Sequence, residues 1–331
     1  MEKAIAVVVS YNRQALLQEC ITALRNQTRK PDAILVVNNG STDNTEEWLK
    51  QQQDVFHVTQ SNLGSGGGFN TGITWAYQKG YSWIWCMDDD GFPKEDALEN
   101  LLKHEGHERS LLNCAVINKT DKRSFVWKTG DFATIEDVDV DVIEGIGHPF
   151  NGTLLHRSIV ERVGVPKSSL FLWGDETEYY YRIVKKNGYP VKTISSSIHY
   201  HPPAAFTYKN DWEFRSSWKM YFYVRNRFHV HKVKCANRLS AFIHYAFFLL
   251  AFAGIIMVYQ KTDRMKKLSF MAWPAIDAMR NSFTATPAVV LSKLNASRSK
   301  EPLRLTLYLK NIWLAIFSPY TLVKRAETAN A

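Results

Sequence analysis

The stretch Tyr81-Ser82-Trp83-Ile84-Trp85-Cys86-Met87-Asp88-Asp89-Asp90 joins an apolar run to three consecutive carboxylates. A short apolar run of this kind predicts a buried strand, with Asp88, Asp89 and Asp90 at its carboxyl end. Like charges repel strongly where water is partly excluded. Neighbouring aspartates at a strand end are therefore stable only with a bound cation or with shared protons. A divalent metal with oxygen ligands meets that need, and a solvated acidic turn with Gly91 at its corner is the alternative.

The first 200 residues alternate strands and helices, which is typical of an α/β domain. Predicted strands cover Ile5–Val9, Ala33–Val37, Val55–Thr59 and Tyr81–Met87, and predicted helices cover Arg13–Asn26, Thr42–Gln52 and Gly68–Lys79. Ligands of open α/β sheets bind beyond the carboxyl ends of the strands. Polar residues follow each strand at that end: Ser10-Tyr11-Asn12, Asn38-Asn39-Gly40-Ser41, Ser61-Asn62-Leu63-Gly64 and Asp88-Asp89-Asp90.

A glycine-rich segment, Asn62-Leu63-Gly64-Ser65-Gly66-Gly67-Gly68-Phe69-Asn70, precedes the third predicted helix. Glycines before a helix let backbone amides approach a phosphate group. The spacing departs from G-x-G-x-x-G, and the segment follows the third strand rather than the first. A nucleotide-cradling loop and a flexible linker are the two interpretations, and the neighbouring polar turns favour the first.

Length and cysteine content limit the class of protein. A chain of 331 residues can form one large or two ordinary domains. Its four cysteines form no C-x-x-C pair, which argues for a reducing compartment and against structural zinc. The N-terminal residues lead directly into a strand rather than a secretion signal, so we expect the protein at the cytoplasmic side.

Charge is divided unevenly along the chain. Residues 1–203 carry 21 Lys and Arg against 26 Asp and Glu, whereas residues 204–331 carry 20 against 6. We therefore predict two domains, a catalytic domain over 1–203 and a helical C-terminal region over 204–331. The strongly basic region predicts an anionic partner.

Hydrophobicity favours an anionic membrane over nucleic acid as that partner, because the positive charge accompanies long apolar runs and no groove-reading motif. Leu239–Tyr259 is apolar almost throughout and reaches the length of a membrane span, with basic residues on both sides. Leu303–Phe317 mixes apolar and basic residues as interfacial helices do. Peripheral attachment is favoured; a true span, and buried core helices or a dimer contact, are the alternatives.

Five motifs in this order resemble the inverting glycosyltransferases of family 2, which have a GT-A fold. The resemblance covers roughly residues 3–230. It is carried by Val8-Val9-Ser10-Tyr11-Asn12-Arg13, Val36-Val37-Asn38-Asn39-Gly40-Ser41-Thr42-Asp43, Asn62-Leu63-Gly64 with Gly67-Gly68 and Asn70, Asp88-Asp89-Asp90, and Trp173-Gly174-Asp175-Glu176. Within the family the chain is most similar to bacterial galactofuranosyltransferases and rhamnosyltransferases of cell-surface polysaccharide synthesis, and Arg225-Asn226-Arg227 and the basic, apolar tail add to that likeness.

The resemblance implies a role for each matching position. It implies a Mn²⁺ or Mg²⁺ site at Asp88 and Asp90, with His199 as the favoured third ligand and His201 as its substitute. Glu176 is implied as the general base that deprotonates the acceptor hydroxyl, with Asp175 beside it as an acceptor or sugar contact. The alternative is that Asp175 only N-caps the following helix. Acceptor contacts are implied at Trp173 and Glu178, and donor contacts at Ser10, Asn12, Asn39, Asn62, Gly64, Gly67, Gly68, Asn70 and Asp89.

The resemblance implies an inverting, metal-dependent transferase at the cytoplasmic face of the membrane. Its partners would be a nucleotide sugar and a lipid-linked glycan, and a homo-oligomer is possible. UDP-galactofuranose is the favoured donor and dTDP-rhamnose the alternative. Asn38 and Asn39 stand where the family often has an aspartate that contacts the base, so the nucleotide stays open. A membrane-bound scaffold that binds nucleotide sugar without turnover is the competing hypothesis from another class.

Overall fold

The computed structural model describes residues 2–104, 109–203 and 210–296. The chain divides into two compact units, Met1–Ala205 and Phe206–Ala331. The predicted interfacial segment Leu303–Phe317 lies outside the described residues.

Unit 1 is built on a mixed sheet, which confirms the predicted α/β class. Among its described residues eleven strands take part in the sheet. They are β1 Ala4–Ser10, β2 Ala33–Asn38, β3 Val55–Thr59, β4 Trp83–Asp88, β5 Phe92–Pro93, β6 Leu111–Asn118, β7 Ser124–Thr129, β8 Phe132–Thr134, β9 Val142–Glu144, β10 Asn151–His156 and β11 Val191–His201. The helices are α1 Gln14–Arg25, α2 Thr45–Lys50, α3 Gly64–Gln78, α4 Ala97–Lys103, α5 Arg157–Val163 and α6 Asp175–Tyr181.

The strand order brings the predicted polar turns to one edge of the sheet. The main order is β3-β2-β1-β4-β10-β6-β11-β5, with β1, β2, β3 and β4 parallel and β10 antiparallel between β4 and β6. Ser10 pairs with Asn38 of β2, and Val9 pairs with Asp88 of β4. The carboxyl ends of β1, β2 and β4 therefore meet, as ligand sites of open α/β sheets require.

Helices cover both faces of the sheet, which explains why β4 is a continuous apolar run. Trp83, Trp85 and Met87 pack in the core formed with α1, α2 and α4. Ile84 and Cys86 pack in the opposite core, formed with α3, α5 and α6. Because side chains alternate along a strand, the last residue of β4 follows Cys86 toward α3 and α6.

Two predicted helices begin more than one residue away from their observed first residue. Helix α2 begins at Thr45 rather than Thr42, because the Asp43 carboxylate accepts the Thr45 amide and hydroxyl and holds the preceding residues in a turn. Helix α3 begins at Gly64 rather than Gly68, so most of the glycine-rich segment is helical and the predicted loop is wrong.

Unit 2 is helical over its described residues. Its helices are α7 Trp218–Lys234, α8 Arg238–Tyr259, α9 Arg264–Arg280 and α10 Pro287–Ala296. Phe228, Tyr245, Ala275 and Ala278 form a buried cluster that joins α7, α8 and α9. Within the described part of the chain, α8 alone is long and apolar enough to cross a membrane.

Candidate active site

The acidic residues at the end of β4 contact residues that follow β1. Asp89 is buried, and its Oδ2 accepts a 2.7 Å hydrogen bond from the Ser10 hydroxyl. The Arg13 guanidinium lies 3.2 Å from Asp89 Oδ1 and 2.6 Å from Asp90 Oδ2. Arg13 is absent from the predicted site residues. Its place just beyond β1 is the signal that could have found it, because neighbouring carboxylates need a cation.

The three aspartates differ in how strongly their surroundings favour the charged form of the carboxylate. Burial raises the pKa of Asp88 well above its usual range, and the charges of Asp90 and Asp89 add to the rise. Burial also raises the pKa of Asp89 to about 6, against the hydrogen bond from Ser10 and the charge of Arg13. Burial opposes ionisation of Asp90 as well, but His201, when its Nε2 is protonated, and Arg13 lower the pKa of Asp90 to about 2. Asp90 is thus the most firmly charged of the three and the best cation ligand.

His201 lies beside an oxygen of Asp90 that accepts no hydrogen bond within the part of the chain that the structure describes. Its Nε2 lies 3.4 Å from Asp90 Oδ1, a buried oxygen without a hydrogen-bond donor among the described residues. His201 Nδ1 lies 2.7 Å from the Pro202 carbonyl, which can only accept, so Nδ1 carries a proton. In the neutral ring Nε2 then has a lone pair. A carboxylate oxygen and an imidazole nitrogen this close can share one divalent cation.

His199, the histidine favoured from the sequence, has different surroundings. It is fully buried, and neither ring nitrogen has a hydrogen-bond partner in the described residues. Burial, with the nearby His201, lowers its pKa to about 3. Any Cβ at position 91 would collide with His199 Nε2, which gives Gly91 a packing role. Metal binding by His199 stays a prediction, and the structure supports the substitute, His201, more directly.

The metal ligands are not already gathered into a complete site. Over residues 2–104, 109–203 and 210–296, no group of three or more His, Cys, Asp and Glu side chains is arranged to hold a metal ion. Asp90 and His201 supply two neighbouring donor atoms, one from the turn after β4 and one from the last residue of β11. The remaining ligands would have to come from a bound molecule such as a diphosphate.

Glu176 lies near the first acidic cluster. It is half-buried, and its carboxylate accepts hydrogen bonds from the Gly174 amide at 3.1 Å and the Thr177 hydroxyl at 3.4 Å. Its charge contributes to the raised pKa of Asp88, so the two acidic motifs lie within electrostatic range of each other. A partly exposed carboxylate on this side of the sheet is a suitable general base.

Asp175 is held inside the protein. It is fully buried, and its Oδ2 accepts a 2.6 Å hydrogen bond from the Ser65 hydroxyl of α3. Burial, followed by the charge of Glu176, raises its pKa well above the usual range. Gly174 is the N-cap residue of α6 and Asp175 the first helical residue, so the alternative that Asp175 only caps the helix is wrong. Its burial does not support direct contact with an acceptor, and it instead joins α3 to the turn that carries Glu176.

The turn before Glu176 has an unusual backbone. Phe171, Trp173 and Gly174 have φ values of 69°, 56° and 124°. Side-chain-bearing residues rarely adopt positive φ unless their surroundings hold them there, and such residues cluster at functional sites. The Phe171 carbonyl accepts a 2.9 Å hydrogen bond from the Gly66 amide of α3. Helix α3 therefore holds this turn, and acceptor contact by Trp173 stays a prediction.

Glu178 is a structural residue in this arrangement. It is fully buried, with Lys167 Nζ 2.8 Å from its Oε1 and Arg182 Nη2 3.1 Å from its Oε2. Arg182 also donates to the carbonyls of Val163 and Val165, at the end of α5. Through Arg182, Glu178 is joined to the end of α5, and through Lys167 to the segment after it; these contacts do not support the predicted acceptor contact.

We expect the Glu178→Gln substitution to lower the free energy of unfolding by about 3 kcal/mol, because it removes the buried carboxylate that pairs with Arg182, whose side chain is only 13% exposed. Urea denaturation followed by circular dichroism measures the loss. The control is Glu161→Gln on the exposed part of α5. A raised KM for acceptor with unchanged stability would instead restore the acceptor-binding role.

The glycines of α3 allow close packing against other parts of unit 1. A Cβ at Gly68 would overlap Val9 Cγ1, and one at Gly72 would overlap Val7 Cγ1, both on β1. A Cβ at Gly66 would lie 3.0 Å from Asp175 Cβ. The glycines thus bring α3 against β1 and against the second acidic motif. Donor contact by Gly64, Gly67 and Gly68 stays a prediction, because all three are buried against protein atoms.

The Gly68→Ala substitution is expected to destabilise unit 1 by about 1–3 kcal/mol, since the added methyl group overpacks the helix–strand contact. Thermal unfolding of the purified protein measures this. Gly254→Ala on α8 is the matched control, because nothing lies within 4 Å of its Cβ position. The control should be neutral or slightly stabilising, as alanine favours helix over glycine. Equal melting temperatures for Gly68→Ala and wild type would contradict the packing role.

Four asparagines predicted to bind the donor make hydrogen bonds within the protein. The bonds are Thr42 amide to Asn12 Oδ1 (2.6 Å), Asn39 Nδ2 to Gly64 carbonyl (2.9 Å), Gly64 amide to Asn62 Oδ1 (2.9 Å) and Asn70 Nδ2 to Pro166 carbonyl (2.8 Å). Asn39 is also buried, and its Oδ1 accepts the Leu63 amide. These side chains join the turns around the site, and donor contact by them stays a prediction.

Comparisons with known proteins agree with this fold. The sequence model of the family described as glycosyl transferase family 2 matches residues 5–164 of this chain. Galactofuranosyltransferase GlfT1 of Mycolicibacterium smegmatis is 34% identical over 216 residues, 61% of this chain and 71% of that protein. Galactofuranosyltransferase GlfT1 of Mycobacterium tuberculosis is 31% identical over 222 residues, 63% of this chain and 73% of that protein. The chain belongs to the family 2 glycosyltransferases.

Solved structures support the fold alone, because their sequence identity is low. Staphylococcus aureus TarS 1–349 in complex with UDP matches with a TM-score of 0.53 and 13% identity, over 89% of this chain and 87% of that chain. Mannosyltransferase PcManGT from Pyrobaculum calidifontis, in complex with GDP-Man and Mn²⁺, matches with a TM-score of 0.50 and 16% identity, over 96% and 88%. The fold of this chain is the GT-A glycosyltransferase fold that the sequence predicted.

Proposed function

We propose that this protein is a metal-dependent, inverting galactofuranosyltransferase. It would move galactofuranose from UDP-galactofuranose to a lipid-linked glycan in the synthesis of a cell-surface polysaccharide. The choice of sugar is supported by the two galactofuranosyltransferases that share 31–34% identity with the chain. The observation that carries the catalytic proposal is a cation-ligand pair, Asp90 and His201, just beyond β4, together with a candidate base, Glu176, whose charge acts on Asp88 at the end of the same strand.

Asp90 and His201 would hold the Mn²⁺ or Mg²⁺ ion, since Asp90 Oδ1 is buried without a hydrogen-bond donor in the described residues and His201 has its proton on Nδ1. When bound, the cation would neutralise charge on the departing nucleoside diphosphate. Asp88 lies next to this pair at the end of β4. Its raised pKa reflects burial beside other carboxylates, and a cation there would favour its charged form.

Glu176 would accept the proton of the acceptor hydroxyl as that oxygen attacks the anomeric carbon. Attack from the face opposite the diphosphate inverts the configuration of the anomeric carbon. The hydrogen bond from the Gly174 amide holds one carboxylate oxygen of Glu176 in place. Asp175, fixed by Ser65, positions the turn that carries the base.

Ser10, Arg13 and Asp89 would form the donor side of the site. The Ser10 hydroxyl and the Arg13 guanidinium hold Asp89 at the edge of the sheet where nucleotides bind in open α/β folds. Arg13 is about half exposed, so a donor diphosphate could compete with Asp90 for its guanidinium. Arginine suits this role because its planar group matches phosphate oxygens.

The proposal is tested by release of nucleoside diphosphate from UDP-galactofuranose, UDP-galactopyranose, UDP-glucose and dTDP-rhamnose, with Mn²⁺ or with EDTA. We expect release from UDP-galactofuranose with Mn²⁺ and none with EDTA. Faster release from dTDP-rhamnose than from UDP-galactofuranose would change the proposed donor, and the proposed reaction class, sugar transfer, would stand. Release that EDTA leaves unchanged would overturn metal dependence.

If no donor releases nucleoside diphosphate, the assay is repeated with a lipid-linked acceptor, and binding of UDP and dTDP is measured by calorimetric titration. Nucleotide binding without turnover in the presence of acceptor would favour the scaffold hypothesis. Where transfer occurs, the anomeric configuration of the product tests inversion, and a retained configuration would contradict the role given to Glu176.

A further inference from the structure

Helix α8 has one buried face and one exposed apolar face. Its buried residues are Ala241, Tyr245, Phe252 and Ile256. Its large exposed side chains on the other side are Leu239, Ile243, Phe247, Leu250, Met257 and Val258. Phe247 and Leu250 are 66% and 70% exposed. At 100° per residue the two sets fall on opposite sides of the helix, so the exposed set forms one stripe along it. We call these six residues the α8 stripe.

The stripe is too long and too apolar to be ordinary surface. A helix of 22 residues is about 33 Å long. Contiguous exposed apolar surface on this scale marks a site of interaction with a protein or a membrane. Residues 239–259 contain no Lys, Arg, Asp or Glu, so no charge interrupts the stripe.

Positive charge surrounds the stripe. Residues 210–296 contain thirteen Lys and Arg against four Asp and Glu. Lys234 and Arg238 are exposed at the start of α8, and Lys261 and Arg264 are exposed just after its end. Of the acidic residues, Asp211 and Asp263 are each paired with a lysine. An apolar stripe between exposed basic residues is complementary to acyl chains below anionic headgroups.

The contacts between α8 and α7 show whether α8 can cross a membrane or only lie on it. Tyr245 Oη donates a 3.0 Å hydrogen bond to the Val224 carbonyl of α7. The Arg227 guanidinium of α7 lies 5.6 Å from the Phe248 ring of α8. If α8 crossed a bilayer with these contacts intact, α7 and its charged residues would enter the hydrocarbon, which is costly. Only the face opposite α7 is free for lipid among the described residues.

We propose that the α8 stripe docks in the plane of an anionic membrane, with the stripe in the acyl boundary and the flanking basic residues at the headgroups. A second copy of this chain, or another segment of the same chain, is the competing occupant of the stripe. Membrane docking by the stripe needs none of the catalytic steps proposed above.

Vesicle flotation tests the proposal without any turnover. Wild-type protein is mixed with vesicles containing about 30 mol% phosphatidylglycerol, or with phosphatidylcholine vesicles alone. We expect flotation with the anionic vesicles, weaker flotation with the neutral ones, and release by high salt or alkaline carbonate because an in-plane helix is not anchored by a span.

The decisive variant combines Phe247→Glu with Leu250→Glu, and should reduce flotation about tenfold or more. The matched control combines Phe56→Glu with Val140→Glu, two exposed apolar residues of unit 1 that are 53% and 44% exposed. It adds the same charge elsewhere and should float as wild type does. Circular dichroism and melting temperature show whether each variant is folded.

Four results would overturn the proposal. Equal flotation of the stripe variant and the control would remove the stripe from membrane binding. Resistance of wild type to carbonate would indicate a span. A wild-type dimer in light scattering that the stripe variant disperses, with no flotation of either protein, would assign the stripe to a second copy. A stripe variant that melts well below wild type, with no vesicle binding by either, would assign it to another segment of the chain.

Discussion

Replacing Glu176 by glutamine is expected to lower the rate of sugar transfer by about 10³-fold, because loss of a positioned general base costs between 10² and 10⁴. Glutamine has nearly the same shape as glutamate and can still accept the hydrogen bond from the Gly174 amide. It cannot take the proton of the acceptor hydroxyl. Transfer to acceptor is measured with UDP-galactofuranose, and UDP binding by calorimetry should change less than about twofold, because the base acts in chemistry rather than in donor binding.

Two variants show whether the loss belongs to Glu176 itself. Glu161→Gln makes the same chemical change at an exposed position of α5 and should transfer at the wild-type rate. Asp175→Asn is expected to lose less activity than Glu176→Gln, because burial already favours the neutral form of Asp175 and asparagine can still accept from Ser65. If Asp175→Asn were the more damaging change and Glu176→Gln turned over normally, the base would be Asp175 instead.

Replacing His201 by alanine is expected to weaken Mn²⁺ binding in the presence of UDP by at least about 10²-fold, since loss of a ligand should exceed the 10–100-fold effect of losing a supporting partner. The reason is the 3.4 Å approach of His201 Nε2 to the unbonded oxygen of Asp90. Calorimetric titration of Mn²⁺ into the UDP complex measures the change directly and does not depend on turnover. Asp90→Asn should reduce the affinity in the same way.

His199→Ala separates a ligand from a packing residue. His199 is fully buried against Gly91, so its removal should leave a cavity and lower the melting temperature, while Mn²⁺ affinity stays near that of wild type. The reverse pattern, in which His199→Ala abolishes Mn²⁺ binding and His201→Ala does not, would restore the sequence-based preference. Unchanged affinity in both variants would remove the histidines from the metal site.

The glycine-rich segment shows where reading the residues alone was insufficient. Glycines ahead of a helix are common at phosphate sites, and this pattern predicted a loop. In the structure they lie inside α3, where Gly68 and Gly72 pack against valines of β1 and Gly66 packs against Asp175. No local pattern distinguishes a glycine needed for backbone freedom from one needed for close packing. The difference depends on which residues, far away in the chain, lie opposite it.

The sequence by itself determined the α/β class, the GT-A likeness, the acidic strand end and the second acidic motif. These follow from local hydrophobic patterns and from motif order, which need no knowledge of distant contacts. Tertiary structure decided the individual roles. It paired Arg13 with Asp89 and Asp90, set His201 rather than His199 beside Asp90, and buried Glu178 between two cations. The charge state and exposure of a side chain depend on neighbours brought together by folding, and these neighbours come from strands and helices that are distant in the sequence.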